Sequence, residues 1–126
     1  MNKYAEVALK ATQMLNSHSP KEAWDLASLE VFPTSLSSRN KSCPQSTFLG
    51  LCEEGLVQGS KVGKYTRSKL NKQYALTALG LLKDNTNLSS DVDTLWKLVV
   101  QGKQSNSQMD VVTALWNNNL INKEMI

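Results

Sequence analysis

The sequence predicts an all-α fold of about six helices, and three observations lead to this prediction. Segments with apolar residues three and four positions apart recur along the chain, as expected when each helix buries one stripe. Capping residues precede several of these segments. The third observation is a repeat, because Asn71 to Leu79 matches Asn2 to Leu9 in order once one gap is opened before Gln73. We therefore expect two related three-helix units packed into one compact domain.

The predicted domain spans residues 1–126, with units at about 2–57 and 71–121 and a basic connector at 58–70. Three correspondences occur in the same order in both units. They are Tyr4-Ala5 with Tyr74-Ala75, Trp24 with Trp96, and Leu51 through Val57 with Leu115 through Ile121. The alternative is a six-helix domain without internal symmetry, which predicts nearly the same core.

The first unit is expected to begin with a helix from about Lys3 to Leu15. The run Ser19-Pro20-Lys21-Glu22 predicts the start of the second helix. Its serine can cap, its proline suits the first helical position, and its glutamate can bond back to the cap. Phe32-Pro33 ends this helix, since a residue before proline is pushed out of the α region. Leu26 and Leu29 are expected to widen its buried face.

The third helix follows a polar connection from Thr34 to Ser42. Pro44 is expected to open this helix, with Ser42 or Cys43 as its cap. Phe48, in its middle, is expected to face inward.

A left-handed residue is expected to end the last helix of each unit. Gly55 suits this conformation in the first unit, and Leu56 can then fold back onto the last turn. Asn119 can take the same place in the second unit, because asparagine tolerates positive φ better than most residues. Leu120-Ile121 then corresponds to Leu56-Val57.

The second unit repeats the order of the first. Its first helix is predicted from Asn71 to Lys83. Ser90-Asp91-Val92-Asp93 resembles a capping box for a helix that continues to Gln101. Ser107-Gln108-Met109-Asp110 is a similar start for the last helix.

The connector at 58–70 is predicted to be a loop, because Gly59 and Gly63 interrupt it and it has few large apolar residues. The alternative is a short hairpin with Leu56-Val57-Gln58 and Lys64-Tyr65-Thr66 as its strands.

The composition is that of an ordinary globular chain, with 126 residues, 40% hydrophobic and 20% charged. No apolar run approaches the roughly 20 residues of a membrane span, and the N-terminus lacks the apolar core of a signal peptide. We therefore expect a cytoplasmic protein with no membrane contact. Two cysteines and one histidine cannot supply four zinc ligands, and we expect neither a metal nor another cofactor.

No catalytic motif is present, such as a glycine-rich nucleotide loop or a zinc-binding helix. His18 lies in a predicted turn with no neighbour in sequence to orient it. Cys52 is predicted to be a buried thiol. Cys43 stands before a proline at a helix start, where thiols can become more reactive. We therefore expect that the protein is not an enzyme. The alternative is an enzyme that uses Cys43.

Positive charge is concentrated in the middle of the chain. The whole chain carries +3, but residues 31–83 hold eight basic residues against two glutamates, a local charge of +6. The segment 61–72 has five basic residues, two hydroxyls between them and no acidic residue. Lysine, arginine and hydroxyl groups bind phosphate oxygens, and an aromatic ring can stack on a base. The candidate nucleic-acid-binding residues are Lys61, Lys64, Tyr65, Arg67, Lys69 and Lys72.

We therefore predict a non-enzymatic protein that binds nucleic acid or another polyanion, such as an acidic protein, through this segment. One alternative is a solvated basic loop that binds nothing. Another is a protein–protein adaptor or homodimer that uses apolar helix faces, with Trp116 and Leu120-Ile121 as exposed residues. A winged-helix DNA-binding protein is a further alternative, but Glu53 and Glu54 would place two negative charges at the end of its recognition helix.

Four strings of the sequence form a recognisable set. They are Ser19-Pro20-Lys21-Glu22-Ala23-Trp24, Cys43-Pro44 with Phe48 through Val57, Tyr65-Thr66-Arg67-Ser68-Lys69, and Asn106 through Val112 with Ala114-Leu115-Trp116. Together they resemble a family of small uncharacterised bacterial proteins, a domain of unknown function that covers nearly the whole chain. The resemblance implies a bacterial, soluble, single-domain protein. It implies no activity, cofactor or binding residue.

Overall fold

Helices make up the regular structure of the chain, and no β-sheet is present, which confirms the predicted fold class. The computed structural model describes residues 1–126. Six helices have eight residues or more, and one further helix has a single turn. Their bounds are α1 Lys3–Gln13, α2 Pro20–Val31, α3 Leu36–Arg39, α4 Ser42–Glu53, α5 Lys69–Asp84, α6 Val92–Val99 and α7 Gln108–Asn117. Short 3-10 helices lie at Thr86–Ser90 and Lys123–Met125. None of the helices combines the length and the apolar character needed to cross a membrane.

Two helix starts in the first unit follow the capping chemistry of their sequence. The side chain of Asn2 accepts hydrogen bonds from the amides of Tyr4 and Ala5, at 2.8 and 3.1 Å, and so begins α1. At α2 the predicted capping box is present, since Ser19 and Glu22 each bond the other's backbone amide. These bonds satisfy amides that have no partner within their own helix.

Two other helices start earlier than the sequence predicts. α4 begins at Ser42 with no side-chain cap, and Pro44 lies at its third position rather than at its opening. Proline is tolerated there because the first four amides of a helix have no partner in it. α5 begins at Lys69, two residues before Asn71, because Ser68 caps this helix.

The starts and ends in the second unit also differ from expectation. Asp91, not Ser90, caps α6, because its carboxylate accepts a hydrogen bond from an amide in the first turn at 3.1 Å. This helix ends at Val99 rather than Gln101. Ser107 precedes α7 but makes no capping bond, since its φ of +65° places it in the left-handed region.

The connection from Thr34 to Ser42 is predicted to be a loop, but it contains the one-turn helix α3. Ser35 caps this turn by accepting a hydrogen bond from the amide of Ser38 at 3.3 Å. The hydroxyl of Tyr4 donates to the carbonyl of Ser38 at 3.0 Å, which ties the connection to α1.

The core lies between the packed faces of the six longer helices. α1 packs against α2 and α7, and α5 packs against α4 and α6, while α4 and α7 contact each other. Aromatic pairs fill each side, with ring centroids 5.3 Å apart both for Trp24 with Phe48 and for Tyr74 with Trp96. The helices nearest the two ends of the chain, α1 and α7, therefore pack on each other, as do α4 and α5 in its middle.

The turns after α4 and α7 have the same geometry, with the left-handed residue that was predicted for each. Gly55 has φ +68° and Asn119 has φ +58°. The amide of the following leucine then bonds back to a carbonyl five residues earlier in both places, at 3.1 Å for Leu56 and 2.9 Å for Leu120. This is the chain reversal expected after a left-handed residue at a helix end.

These two turns also pair with each other. Val57 and Ile121 form an isolated antiparallel bridge. The amide of Gln58 donates to the carbonyl of Leu120, and the amide of Asn122 donates to the carbonyl of Leu56, both at 2.8 Å. The segments that follow α4 and α7 thus meet as a short antiparallel pair.

Four exposure predictions are wrong. Leu26 and Leu29 on α2 are 44% and 50% exposed, because this helix faces solvent on the side away from α1 and α4. Trp116 and Ile121 are only 5% and 4% exposed, since α7 is covered by α1, α4, α5 and α6. The surface first assigned to a homodimer therefore belongs mainly to the core.

Candidate functional site

A single buried carboxylate organises the basic connector. Glu53 is the last residue of α4 and is 8% exposed. Its Oε1 atom accepts hydrogen bonds from the amides of Tyr65 and Thr66, at 2.7 and 2.8 Å. Its Oε2 atom accepts from Nζ of Lys72 on α5, at 2.8 Å. One side chain therefore holds the connector to both helices that flank it.

The connector is a loop, and the hairpin alternative is wrong. The strand predicted around Val57 pairs with Ile121 instead of with the residues near Tyr65. The amide of Gly63 donates to the backbone carbonyl of Glu53 at 3.1 Å, so the loop folds back over the end of α4. A winged-helix interpretation loses the hairpin that would form its wing.

Tyr65 stabilises this loop by a hydrogen bond within it. Its hydroxyl donates to the carbonyl of Lys61 at 2.7 Å, and the residue is only partly exposed. A Cβ atom added at Gly63 would lie 2.7 Å from the hydroxyl oxygen of Tyr65, so a glycine allows this close approach. The side chain that was assigned to base stacking is thus engaged within the loop.

Close approach of α4 and α5 brings Lys72 to Glu53. A Cβ atom added at Gly50 would lie 2.7 Å from Cβ of Lys72 and 3.0 Å from its Cα. The helices can pass at this distance only because Gly50 has no side chain. Lys72 also pairs with Glu54, at 3.2 Å, on the solvent side of the contact.

The ionisation of this group follows from its contacts. Burial raises the pKa of Glu53, but the hydrogen bonds from Lys72, Thr66 and Tyr65 together outweigh burial and hold the pKa below its usual value. The hydrogen bond to Glu53 raises the pKa of Lys72, and Glu54 adds to this effect. The pair is therefore ionised at neutral pH.

The structure divides the six candidate residues into two groups. Lys61, Lys64, Arg67 and Lys69 are exposed, and none has a carboxylate within 4.0 Å or a side-chain hydrogen bond. Lys72 and Tyr65 are partly buried and hold the loop in place. Four cations are therefore free to meet a ligand, and two residues act as supports.

A polar cleft lies between the loop and the first turn of α5. Its volume is about 450 Å³, and no hydrophobic residue lines it. The lining residues are Glu53, Gly63, Lys64, Thr66, Lys69 and Lys72. The hydroxyl oxygen of Thr66 accepts a hydrogen bond from the amide of Ser68 at 3.1 Å, which leaves its proton free to donate.

Lys61 faces a different groove, between the loop and the turn that joins α1 to α2. This groove has a volume of about 310 Å³ and also contains His18 and Tyr65. Nδ1 of His18 lies 2.9 Å from the hydroxyl of Ser17. The loop therefore separates two polar depressions, with Lys61 on one side and Lys64 and Lys69 on the other.

The remaining reactive side chains lie apart from this site. Cys52 is fully buried, as predicted, and burial raises the pKa of its thiol. Cys43 is half-buried in the first turn of α4. No group of three or more histidine, cysteine, aspartate and glutamate side chains could hold a metal ion.

Sequence reasoning missed the role of Glu53. The signal that could have found it is the placement of Glu53 and Glu54 at the C-terminal end of a helix, where the helix dipole disfavours negative charge. A carboxylate in this position needs donors from elsewhere in the chain. Here the loop amides and Lys72 supply them.

The comparison with known families identifies this chain over almost its whole length. A model described as "Family of unknown function (DUF6979)" matches residues 1–122. The resemblance to a domain of unknown function over nearly the whole chain is thereby confirmed. Neither a curated protein nor a solved structure matches the chain.

Proposed function

The chain belongs to this family of unknown function, and we propose that it is a non-enzymatic binding protein that contacts nucleic acid or another polyanion through the loop between α4 and α5. The observation that carries the proposal is the set of four exposed cations without a carboxylate partner: Lys61, Lys64, Arg67 and Lys69. The proposal places the protein in the bacterial cytoplasm, where nucleic acid is an abundant polyanion.

The loop is held in one conformation before any ligand arrives. Glu53 fixes the amides of Tyr65 and Thr66, and Tyr65 fixes the carbonyl of Lys61. A loop that is already ordered loses less conformational entropy on binding. This favours a binding surface over a loop that is basic only for solubility, since solubility requires no fixed geometry.

The contact chemistry favours phosphate groups over bases. The four free side chains are cationic, and the only aromatic residue of the loop is engaged with the carbonyl of Lys61. Cations bind phosphates irrespective of sequence, and such binding weakens steeply with salt. We therefore expect duplexes of different sequence to bind equally well.

Salt-dependent binding to a duplex of mixed sequence tests the proposal. If four cations each neutralise one phosphate, the logarithm of the affinity should fall with the logarithm of salt concentration with a slope of about −3.6. The variant Lys64→Glu/Arg67→Glu should lose retention on immobilised duplex or heparin. Lys3→Glu/Lys97→Glu is the matched control, because it makes the same charge change at exposed lysines outside the loop.

The control variant should keep most of the retention of the wild-type chain. Equal loss in both variants would mean that net charge alone governs retention. Absence of any salt-sensitive retention of the wild-type chain at low ionic strength would refute the proposal outright.

A second candidate is a protein–protein adaptor or homodimer. It is favoured by exposed leucines on α2 and α3, since Leu26, Leu29 and Leu36 are 44%, 50% and 63% exposed. Sedimentation at rising protein concentration tests this candidate. A concentration-dependent dimer that Leu29→Glu abolishes would support it, and a monomer at all concentrations with no captured partner would refute it.

A further inference from the structure

We propose that the polar cleft between the loop and α5 is a discrete phosphate-binding site, which takes neighbouring phosphate groups of a nucleic-acid strand or of a small oligophosphate. This inference rests on the proposed function and goes beyond it. A diffuse basic patch attracts any polyanion without saturating at one position. A built site binds one ligand and depends on particular side chains.

The cleft has donors that are free to bind an anion. Lys64 and Lys69 have no carboxylate partner, and both line the cleft. The hydroxyl of Thr66 uses its oxygen to accept from an amide, so its proton can point to a ligand. Two ammonium groups and a hydroxyl are the donor set that protein sites use for phosphate oxygens.

The one acidic side chain in the cleft already accepts hydrogen bonds at both of its oxygens. Both carboxylate oxygens of Glu53 accept hydrogen bonds, two from loop amides and one from Lys72. With Lys64, Lys69 and Lys72 on the other side, the lining residues carry a net charge of +2. An anion entering the cleft therefore meets an excess of positive charge, and Lys72 and the loop amides offset the charge of Glu53.

The size and lining of the cleft indicate the ligand class. A volume of about 450 Å³ leaves room for more than one phosphate group, since a water molecule accounts for about 30 Å³ of liquid. No hydrophobic side chain is present to receive a base or an apolar group. Two linked phosphate groups, as in inorganic pyrophosphate, match both properties.

Glu54 lies outside the cleft and competes with an anion for Lys72. It does not line the cleft, but it pairs with Lys72 at 3.2 Å, and its side chain is 47% exposed. Removing its charge would leave Lys72 with one carboxylate partner instead of two. The structure therefore assigns opposite roles to adjacent glutamates, because Glu53 builds the loop and Glu54 competes with the ligand.

Calorimetric titration with inorganic pyrophosphate at low ionic strength tests the inference. The wild-type chain should bind one equivalent. Lys69→Met should weaken binding at least tenfold, and Glu54→Gln should strengthen it about two- to fivefold. Lys61→Met is the matched control, since it removes the same charge from the same basic segment 61–72 but faces the other groove, and it should change affinity less than twofold.

Thr66 supplies a test that involves no charge. Thr66→Val should weaken binding severalfold, and Thr66→Ser should keep the wild-type affinity because it keeps the hydroxyl. An unfolding curve for each variant checks that the fold persists. Non-saturable binding, or equal losses in Lys61→Met and Lys69→Met, would overturn the inference in favour of diffuse attraction.

Competition between pyrophosphate and a DNA duplex separates this inference from the proposed function. Displacement of the duplex by pyrophosphate supports both. Duplex binding without pyrophosphate binding overturns the phosphate site and leaves the proposed function standing. One-to-one pyrophosphate binding without duplex binding supports the site, refutes nucleic-acid binding and identifies the ligand as a small oligophosphate.

Discussion

Replacing Glu53 with glutamine should destabilise the protein far more than the same change at its neighbour Glu54. In Glu53→Gln one oxygen can still accept from the amides of Tyr65 and Thr66, but without charge. The new amide group would place its own hydrogens against the ammonium of Lys72. Glu54 makes one ion pair on the surface and no bond to the loop.

The magnitude follows from the bonds that Glu53 makes. Hydrogen bonds to a charged group contribute about 1.5–3 kcal/mol, and neutral ones about 0.5–1.5 kcal/mol. The hydrogen bond from each of the two loop amides should therefore contribute about 1 kcal/mol less in the variant. The lost contact with Lys72 adds about 1 kcal/mol, which is modest because that lysine is partly exposed and keeps Glu54. The total is about 3 kcal/mol for Glu53→Gln, against about 0.5 kcal/mol or less for Glu54→Gln.

Urea unfolding followed by tryptophan fluorescence measures both variants, since all three tryptophans are buried. The pH dependence gives a second check. The pKa of Glu53 is lowered by folding, so its contribution is complete above the unfolded value of about 4.3 and is lost as pH falls through the folded pKa. The difference in the free energy of unfolding between wild type and Glu53→Gln should therefore be largest at neutral pH and decrease in acid.

Two outcomes would refute this account of Glu53. Equal stability losses in Glu53→Gln and Glu54→Gln would mean that the loop amides gain little from the carboxylate. A stability gap that stays constant down to pH 2 would mean that the charge of Glu53 has no part in it. Hydrogen exchange at the amides of Tyr65 and Thr66 localises the effect, because their protection should fall in Glu53→Gln alone.

Other predictions follow from the close helix contact and the thiols. Gly50→Ala should destabilise the protein by about 1–2 kcal/mol net, since overpacking against Lys72 exceeds the gain in helix propensity. Gly80→Ala has open space around its Cβ and should stabilise the protein by up to about 1 kcal/mol. Urea unfolding of the two variants measures both changes, and equal shifts would contradict the prediction. Under native conditions Cys43 should react with a thiol reagent, whereas Cys52 should react only when the protein unfolds. Cys52 is fully buried, and burial raises the pKa of its thiol. Rapid reaction of both thiols in the folded chain would contradict this prediction.

Local signals in the sequence are sufficient for much of the fold. The capping box at Ser19 depends on residues three positions apart, and the left-handed turns at Gly55 and Asn119 depend on single residues. Such features form wherever their own few residues allow, so they can be predicted without knowledge of the rest of the chain.

Exposure could not be predicted in the same way. Leu29 and Trp116 both lie on apolar stripes, but one is 50% exposed and the other 5%. The difference depends on how many helices cover each stripe, and periodicity within one helix does not contain this information. For the same reason the role of Glu53 could not be predicted with the basic loop, because its contact with Lys72 exists only once Gly50 lets α5 approach α4.

The contrast between the two corresponding turns explains why the candidate site occurs once. The correspondence that aligns Gly55 with Asn119 also aligns Glu53 with Asn117. Glu53 is buried and charged, and it accepts bonds from the loop, whereas Asn117 is exposed and neutral and donates to the carbonyl of Ser89 at 3.1 Å. An asparagine there cannot neutralise a lysine on a facing helix. The basic loop is therefore anchored at a position where the ends of α4 and α7 share a backbone geometry and differ in chemistry.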